Sequence, residues 1–251
     1  MRTFIFTIIF VILFFAGLNY IFTGTFNIFE FSSKPTIKSF PIIEGEQIST
    51  PQDQSIFQEE KLAESLNLKI PFIVQAPFSD WSYPFNHNCE EAAVLMVHYF
   101  FEEISNVNPA KTKIELLELV EFETKTYGFH EDTTAKQTAQ LIEDYYGYKT
   151  NVIYDISLDD IKRELNSGNP VIVPTVGREL QNPYFTPPGP LYHMLVIKGY
   201  TSSEFITNDP GTKNGADFTY SYEILKKAMS DFNEGEMENG RNAMMIVYPN
   251  E

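Results

Sequence analysis

The chain has 251 residues and carries 18 Lys+Arg against 34 Asp+Glu, a formal net charge of -16; that length suits one ordinary domain with appendages, or two small domains at most. There is no cluster of Lys and Arg of the kind phosphate contacts need, which argues against a nucleic-acid binder. A single cysteine excludes an intrachain disulfide framework and any multi-thiolate zinc or iron–sulfur centre, and four histidines leave little room for a histidine-rich metal cage, so neither a metal nor a cofactor is expected.

The front of the chain is unlike the rest. Nine of the 22 phenylalanines lie within residues 1–31, and no charged residue stands between Arg2 and Glu30. Residues 3–22 form an apolar run of about the length a helix needs to cross a bilayer. A cleaved signal peptide is the rival, with a shorter apolar region followed by a small-x-small site. Ala16-Gly17-Leu18 lies inside the run rather than after it, so an anchor over residues 1–22 is favoured. Arg2 and the amine favour a cytoplasmic N-terminus, whereas Lys34 and Lys38 pull the other way. The short N-terminal tail tips the expectation toward a single-pass membrane protein whose remainder is extracytoplasmic.

Residues 23–68 mix Pro, Ser, Gln and isolated apolar residues without a period of 2 or 3.6, the pattern of a tether. Within them, residues 55–66 could add about three turns of helix capped by Ser55. From Lys69 to the C-terminus a folded domain is expected. Residues 68–78 read as a short apolar strand bounded by prolines. A helix follows from Cys89, with Asn88 as N-cap and Glu90 and Glu91 in its first turn. Further helices are expected at 112–126 and 133–146, the second stopped by Gly147. A strand at 151–156 precedes a helix capped by Ser157 and Asp160 and ended by Gly168. A buried strand at 169–176 leads into a loop with four prolines, Gly177 to Pro190, then a hairpin of two strands around Ser202-Ser203. A helix over 221–232 and a strand at 243–249 close the chain. Helices first and strands later indicate α+β with a mostly antiparallel sheet.

Cys89 is the residue with chemistry to offer. A helix start lowers a thiol's pKa, but Glu90 and Glu91 oppose this, so a histidine that shares the proton is needed for a nucleophile; a buried core cysteine is the plain alternative. His98 lies nine residues on along the same helix and about 180° round from Cys89, and His130 sits in a loop. His87, in the irregular segment, stays open on geometry. His193 opens a strand after the Pro-rich loop and is the best candidate by context. Asp209 ends the next strand and could orient it, although a regular hairpin would put Asp209 opposite Val196, some three positions short; a bulge or loop rearrangement must close that gap. Gln75, just before a strand end, could donate to an oxyanion with the Cys89 N–H. Tyr184 and Phe185 in the Pro-rich loop, with Tyr192, are candidates for a substrate wall.

The order IPFIVQAPF, NHNCEEAAVLMVHYF, PLYHMLVIKGY, FITNDPGT resembles the C39-like peptidases, a branch of the papain-like cysteine peptidases, over residues 69–251. The resemblance implies that fold, with N-terminal helices packed on the sheet. It also implies Cys89 as nucleophile, His193 as base and acid, Asp209 as orienting residue, Gln75 in the oxyanion hole, and a peptide or protein substrate, in the family often Gly-rich. Two features depart from it: Cys89-Glu90-Glu91 stands where many members have Cys-Gly-Pro, and Tyr192 where glycine commonly precedes the histidine. These motivate the alternatives of a surface binding module that keeps the fold without turnover, or an acyl transferase with the same triad.

Overall fold

The computed structural model describes residues 62–250 apart from Glu234. The expected anchor over 1–22, and most of the expected tether and its helix, lie outside them. Of that helix, residues 62–66 are described and are not helical; Leu66–Asn67 instead form strand β1, paired with the strand that carries His193. The sheet therefore begins slightly ahead of the expected domain start at Lys69. Among the described residues no helix is long and apolar enough to cross a membrane.

Residues 68–78 do not form the expected strand. They run as irregular backbone into a short 3-10 turn, Pro77–Ser79. Pro71 and Pro77 have no N–H to give a ladder, and the segment is tacked to the sheet singly, by Leu68 N–H to Lys198 O at 2.8 Å and Gln75 N–H to Pro210 O at 3.0 Å. The helices follow: α1 Cys89–Phe101, α2 Pro109–Thr126 and α3 Ala135–Tyr146. Asn108 caps α2 by accepting from the Ala110 and Lys111 amides, and Thr134 with Gln137 closes a capping box on α3, which ends on Gly147 in the left-handed region. Then come β2 Lys149–Tyr154, α4 Leu158–Asn166, β3 Val171–Val176, β4 Tyr192–Tyr200, β5 Glu204–Asn208, β6 Phe218–Ser221, α5 Tyr222–Ala228 and β7 Ala243–Tyr248. The Ser157–Asp160 capping box of α4 is formed as expected. Strand β6 is an addition to the expected elements, and α5 stops at Ala228, short of residue 232, because Ser230 N–H turns away to Pro174 O.

The seven strands make one sheet in the order β2-β7-β3-β4-β5-β6, with β1 also on β4, and every pairing is antiparallel. Strand β4 is buried along its whole length, and the pleat divides its side chains between two cores. Tyr192, Met194 and Val196 join α1, α2 and α3 on one face, while Leu195 and Ile197 join α4 and α5 on the other. Helices thus cover both faces, the three N-terminal ones on one of them. The crossing of β1 over β4 requires glycine at 199: a Cβ there would lie 2.2 Å from Leu66 O. Its neighbour Lys198 is the extra residue of a bulge between Ile197 and Gly199. The buried ammonium of Lys198 donates to Ile70 O at 3.2 Å and pairs with Asp217 at 2.9 Å.

Candidate active site

The bulge decides which residues can meet His193. Around the Thr201–Glu204 turn, Tyr200 faces Phe205 and Gly199 faces Ile206; an unbroken ladder from there would put Asp209 opposite Val196, on the sheet face away from His193. With Lys198 bulged out, Asn208 takes the place opposite Val196, and Asp209 follows opposite Leu195. Leu195 and His193 are two residues apart and share a face, so a diagonal contact is open. It is made: His193 Nε2 lies 2.8 Å from Asp209 Oδ1, with both side chains buried.

Asp209 is held on all sides. Oδ1 also accepts from Gly211 N–H at 2.9 Å; Oδ2 accepts from Asn182 Nδ2 at 3.0 Å and from the Tyr220 hydroxyl at 2.5 Å. Burial pushes the carboxyl's pKa up. The charge and hydrogen bond of His193, with the Tyr220 and Gly211 donors, outweigh it and hold the carboxyl below its ordinary value. Burial raises the Tyr220 phenol, and the Asp209 charge adds to it. Neither Asn182 nor Tyr220 could be singled out from the sequence. Asn182 comes from the Pro-rich loop, whose two ends are tied together by Gly177 N–H to Leu191 O and Arg178 N–H to Pro190 O, and Tyr220 comes from the added strand β6. Gly211 leaves no room beside this pair: a Cβ would sit 2.9 Å from His193 Cε1 and 2.8 Å from Phe185 Cε1.

Cys89 is the first residue of α1 and is buried, and its helix packs on β4. Asn88 occupies the N-cap position, but its side chain makes no capping bond; both its polar side-chain atoms are buried without a partner. The expected cap is therefore absent, because with φ -91° and ψ 33° Asn88 is not in the extended conformation that aims a cap at the first turn. The thiol donates to Glu90 Oε2 at 2.9 Å, and Glu90 Oε1 accepts from Thr133 N–H at 2.9 Å. Burial raises the Cys89 thiol well above its ordinary value, and the Glu90 charge and hydrogen bond add to this; the Met194 N–H works in the opposite direction. Burial likewise pushes Glu90 up to about 7, against the pull of its hydrogen bonds from Cys89 and Thr133. Among the described residues no hydrogen bond joins Cys89 to His193.

Cys89, His193 and Gln75 nevertheless border one cleft of about 1060 Å³. Gln75 is buried and gives one N–H to Phe85 O at 3.0 Å, which leaves its second amide hydrogen available. Tyr184 and Phe185 line the cleft, as do Trp81 and Phe78 from the segment before α1; Tyr184 is exposed, and Phe185 meets the His193 ring edge-on at 5.3 Å. Tyr192 also borders the cleft, but its ring packs on Phe232 and its hydroxyl donates to Thr133 O at 2.6 Å, so it is anchored as a wall. The other histidines stand apart from the His193–Asp209 pair: His87 is 3.8 Å from Glu131 at the cleft rim, His98 stacks on Tyr146, and His130 is buried against Tyr83. Among the described residues no group of His, Cys, Asp and Glu could hold a metal ion.

The family model described as Peptidase_C39 like family matches residues 67–239, most of the chain. Among solved structures, the chain is similar to a Bacillus anthracis protein assigned to the C39-like peptidases, at 17% identity over 75% of this chain and 100% of that one, TM-score 0.48. It is also similar to the peptidase domain of Streptococcus ComA, a bi-functional ABC transporter involved in a quorum-sensing pathway, at 12% identity over 72% and 99% of the two chains, TM-score 0.35. Xylellain, a cysteine protease from Xylella fastidiosa, is similar at 14% identity over 76% and 88%, TM-score 0.36. No curated protein matches the chain.

Proposed function

The chain belongs to the peptidase C39-like family, which supports a cysteine peptidase-like function, and from that premise we propose that it is a membrane-anchored thiol peptidase working through Cys89, His193 and Asp209. The observation that carries this reading is the buried His193–Asp209 pair at 2.8 Å on the wall of a cleft that Cys89 and Gln75 share.

Asp209, an acceptor on both oxygens, keeps the imidazole proton on Nε2 and leaves Nδ1 as the nitrogen that can take the thiol proton. The Cys89 sulfur then attacks the peptide carbonyl carbon as that proton passes to His193. The oxyanion draws on the second amide hydrogen of Gln75 and on the Cys89 backbone N–H, one of the unpaired amides of the first turn. Collapse expels the amine, which takes the proton from His193, and water resolves the thioester. Phe78, Trp81, Tyr184 and Phe185 supply apolar walls for an extended peptide. Asp132 and Lys213 also border the cleft, one charge of each sign, so the lining does not select for a strongly charged peptide, and a Gly-rich segment is the proposed substrate.

The anchor and an extracytoplasmic placement rest on the apolar run at residues 3–22. Hydrolysis of a fluorogenic peptide mixture by the wild-type domain, and its loss in Cys89→Ala, tests the chemistry; retained turnover in Cys89→Ala rules it out. Membrane fractionation with external protease tests the placement. The Cys89–Glu90 hydrogen bond favours a second reading, a binding module without turnover. Iodoacetamide separates them, since an activated Cys89 alkylates faster than a free thiol near neutral pH and a structural one resists.

A further inference from the structure

The peptidase reading leaves one buried charged group beside the nucleophile unused. Glu90 is 1% exposed, and both of its carboxyl oxygens are engaged: Oε2 by the Cys89 thiol at 2.9 Å and Oε1 by the Thr133 N–H at 2.9 Å. Thr133 is itself fixed, since its carbonyl accepts the Tyr192 hydroxyl and its own hydroxyl lies 2.7 Å from that of Thr138 on α3. The carboxyl is thus aimed at the sulfur by a rigid neighbour. Tyr192, which precedes His193, belongs to the same hydrogen-bonded chain, so the two departures from the family pattern form one structure.

We propose that Glu90 is a positioning residue for Cys89: while its carboxylate accepts the S–H it keeps that proton on the sulfur, and when Glu90 itself takes a proton the thiol proton is released to His193. The inference rests on the peptidase reading. The step balances simply. A solvent proton adds to the Glu90 carboxylate, the S–H bond breaks, and the proton passes to the free ring nitrogen, giving thiolate and imidazolium beside a neutral carboxyl. That carboxyl can then donate to the thiolate instead of repelling it. Burial and the Asp132 charge favour the neutral acid at Glu90, while the hydrogen bonds from Cys89 and Thr133 favour the carboxylate. Glu91 on α1, Glu123 on α2 and Asp132 before α3 are acidic and Tyr192 on β4 is neutral, and none of them offers the carboxylate a cation.

The test is iodoacetamide alkylation of Cys89, the single cysteine, in the wild-type protein and in Glu90→Gln, from pH 5.5 to 10. An ordinary thiol reacts faster at every step up in pH. For the wild-type protein the expected rate instead falls between pH 6 and pH 8, then climbs as the thiol ionises directly. In Glu90→Gln, whose neutral amide stands for the protonated acid, the dip disappears and the rate at pH 8 rises about tenfold, one pKa unit of thiol acidity. A wild-type rate that climbs steadily through pH 6–8, or the same profile in both proteins, overturns the inference. If Glu90→Gln does not fold, the wild-type profile decides alone. Alkylation needs no turnover, so its outcome is separate from the Cys89→Ala hydrolysis test on which the peptidase reading stands.

Discussion

Replacing Asp209 by asparagine removes one charge and changes two lone-pair sites into two hydrogens, and the surroundings leave the amide no good orientation. With its NH₂ at the Oδ1 position it meets the Gly211 N–H and forces His193 to accept at Nε2, so the ring proton moves to Nδ1, the nitrogen that takes the thiol proton in the proposed mechanism. With its NH₂ at the Oδ2 position it faces the NH₂ of Asn182, which is then left without an acceptor there, while Tyr220 must turn its hydroxyl to accept. Either way a donor in the site loses its acceptor and the carboxylate's charge beside His193 is gone, a cost of about 3 kcal/mol. For a folded unit of this size that lowers the Tm at pH 7 by about 6–12 °C. If the same energy is lost from the imidazolium in the transition state, kcat for peptide hydrolysis falls roughly a hundredfold. The pH dependence has a definite sign. Asp209 is held below its ordinary value in the folded state, so its contribution is complete above the unfolded value of about 3.9 and is lost as pH falls through the lower folded one. The gap in Tm between wild type and Asp209→Asn is therefore widest near neutrality and narrows in acid, below about pH 4. Thermal melts at pH 7 and pH 3, with a hydrolysis assay at pH 7, read both effects. An Asp209→Asn protein that melts within a degree or so of wild type at pH 7 and turns over normally would refute the claim that this carboxylate orients His193.

Gly211→Ala places a methyl against His193 and Phe185; it is expected to cut kcat at least tenfold while lowering the Tm by only a few degrees, because the ring rather than the core is displaced. Tyr220→Phe removes one of the four donors to Asp209 and is expected to cost about 1–2 kcal/mol in chemical denaturation, with a small loss of activity. Gln75→Ala is expected to lower kcat by about 10²–10³ with little change in KM, as for a lost oxyanion donor; an equal loss in KM alone argues against that role. The buried carboxyls of Glu91 and Glu123 face one another between α1 and α2 with no hydrogen-bond donor of their own among the described residues. Burial, and for Glu91 the Glu123 charge, raises both, Glu123 to about 8. Because the folded chain holds these protons after the unfolded chain has released them, stability declines as pH rises from about 4.5 toward 8. Glu123→Gln is expected to flatten that decline and raise the Tm at pH 8, which melts across the pH range will show.

Local chemistry is legible in the sequence itself. The helix beginning at Cys89, the α4 capping box of Ser157 and Asp160, the Gly147 stop and the apolar runs of β3, β4 and β7 follow from spacing that a few neighbouring residues control. Residues 68–78 read as a strand because they are apolar, and periodicity carries no record of the prolines' missing donors or of which edge is open to receive them. The nominees Cys89, His193, Asp209 and Gln75 all border or support one cleft, yet the sequence leaves the hairpin register one residue and one sheet face out. Tertiary structure decides that register through the bulge at Lys198, whose ammonium finds Ile70 O and Asp217 when pushed out of the ladder. It also decides that Glu90 turns to the sulfur, and that Asn182 and Tyr220 enclose Asp209. Capping and amphipathic spacing act between residues a turn apart and are written in the chain, whereas the meeting of His193 with Asp209, Asn182 and Tyr220 depends on strand register and burial, which exist only once the sheet has closed.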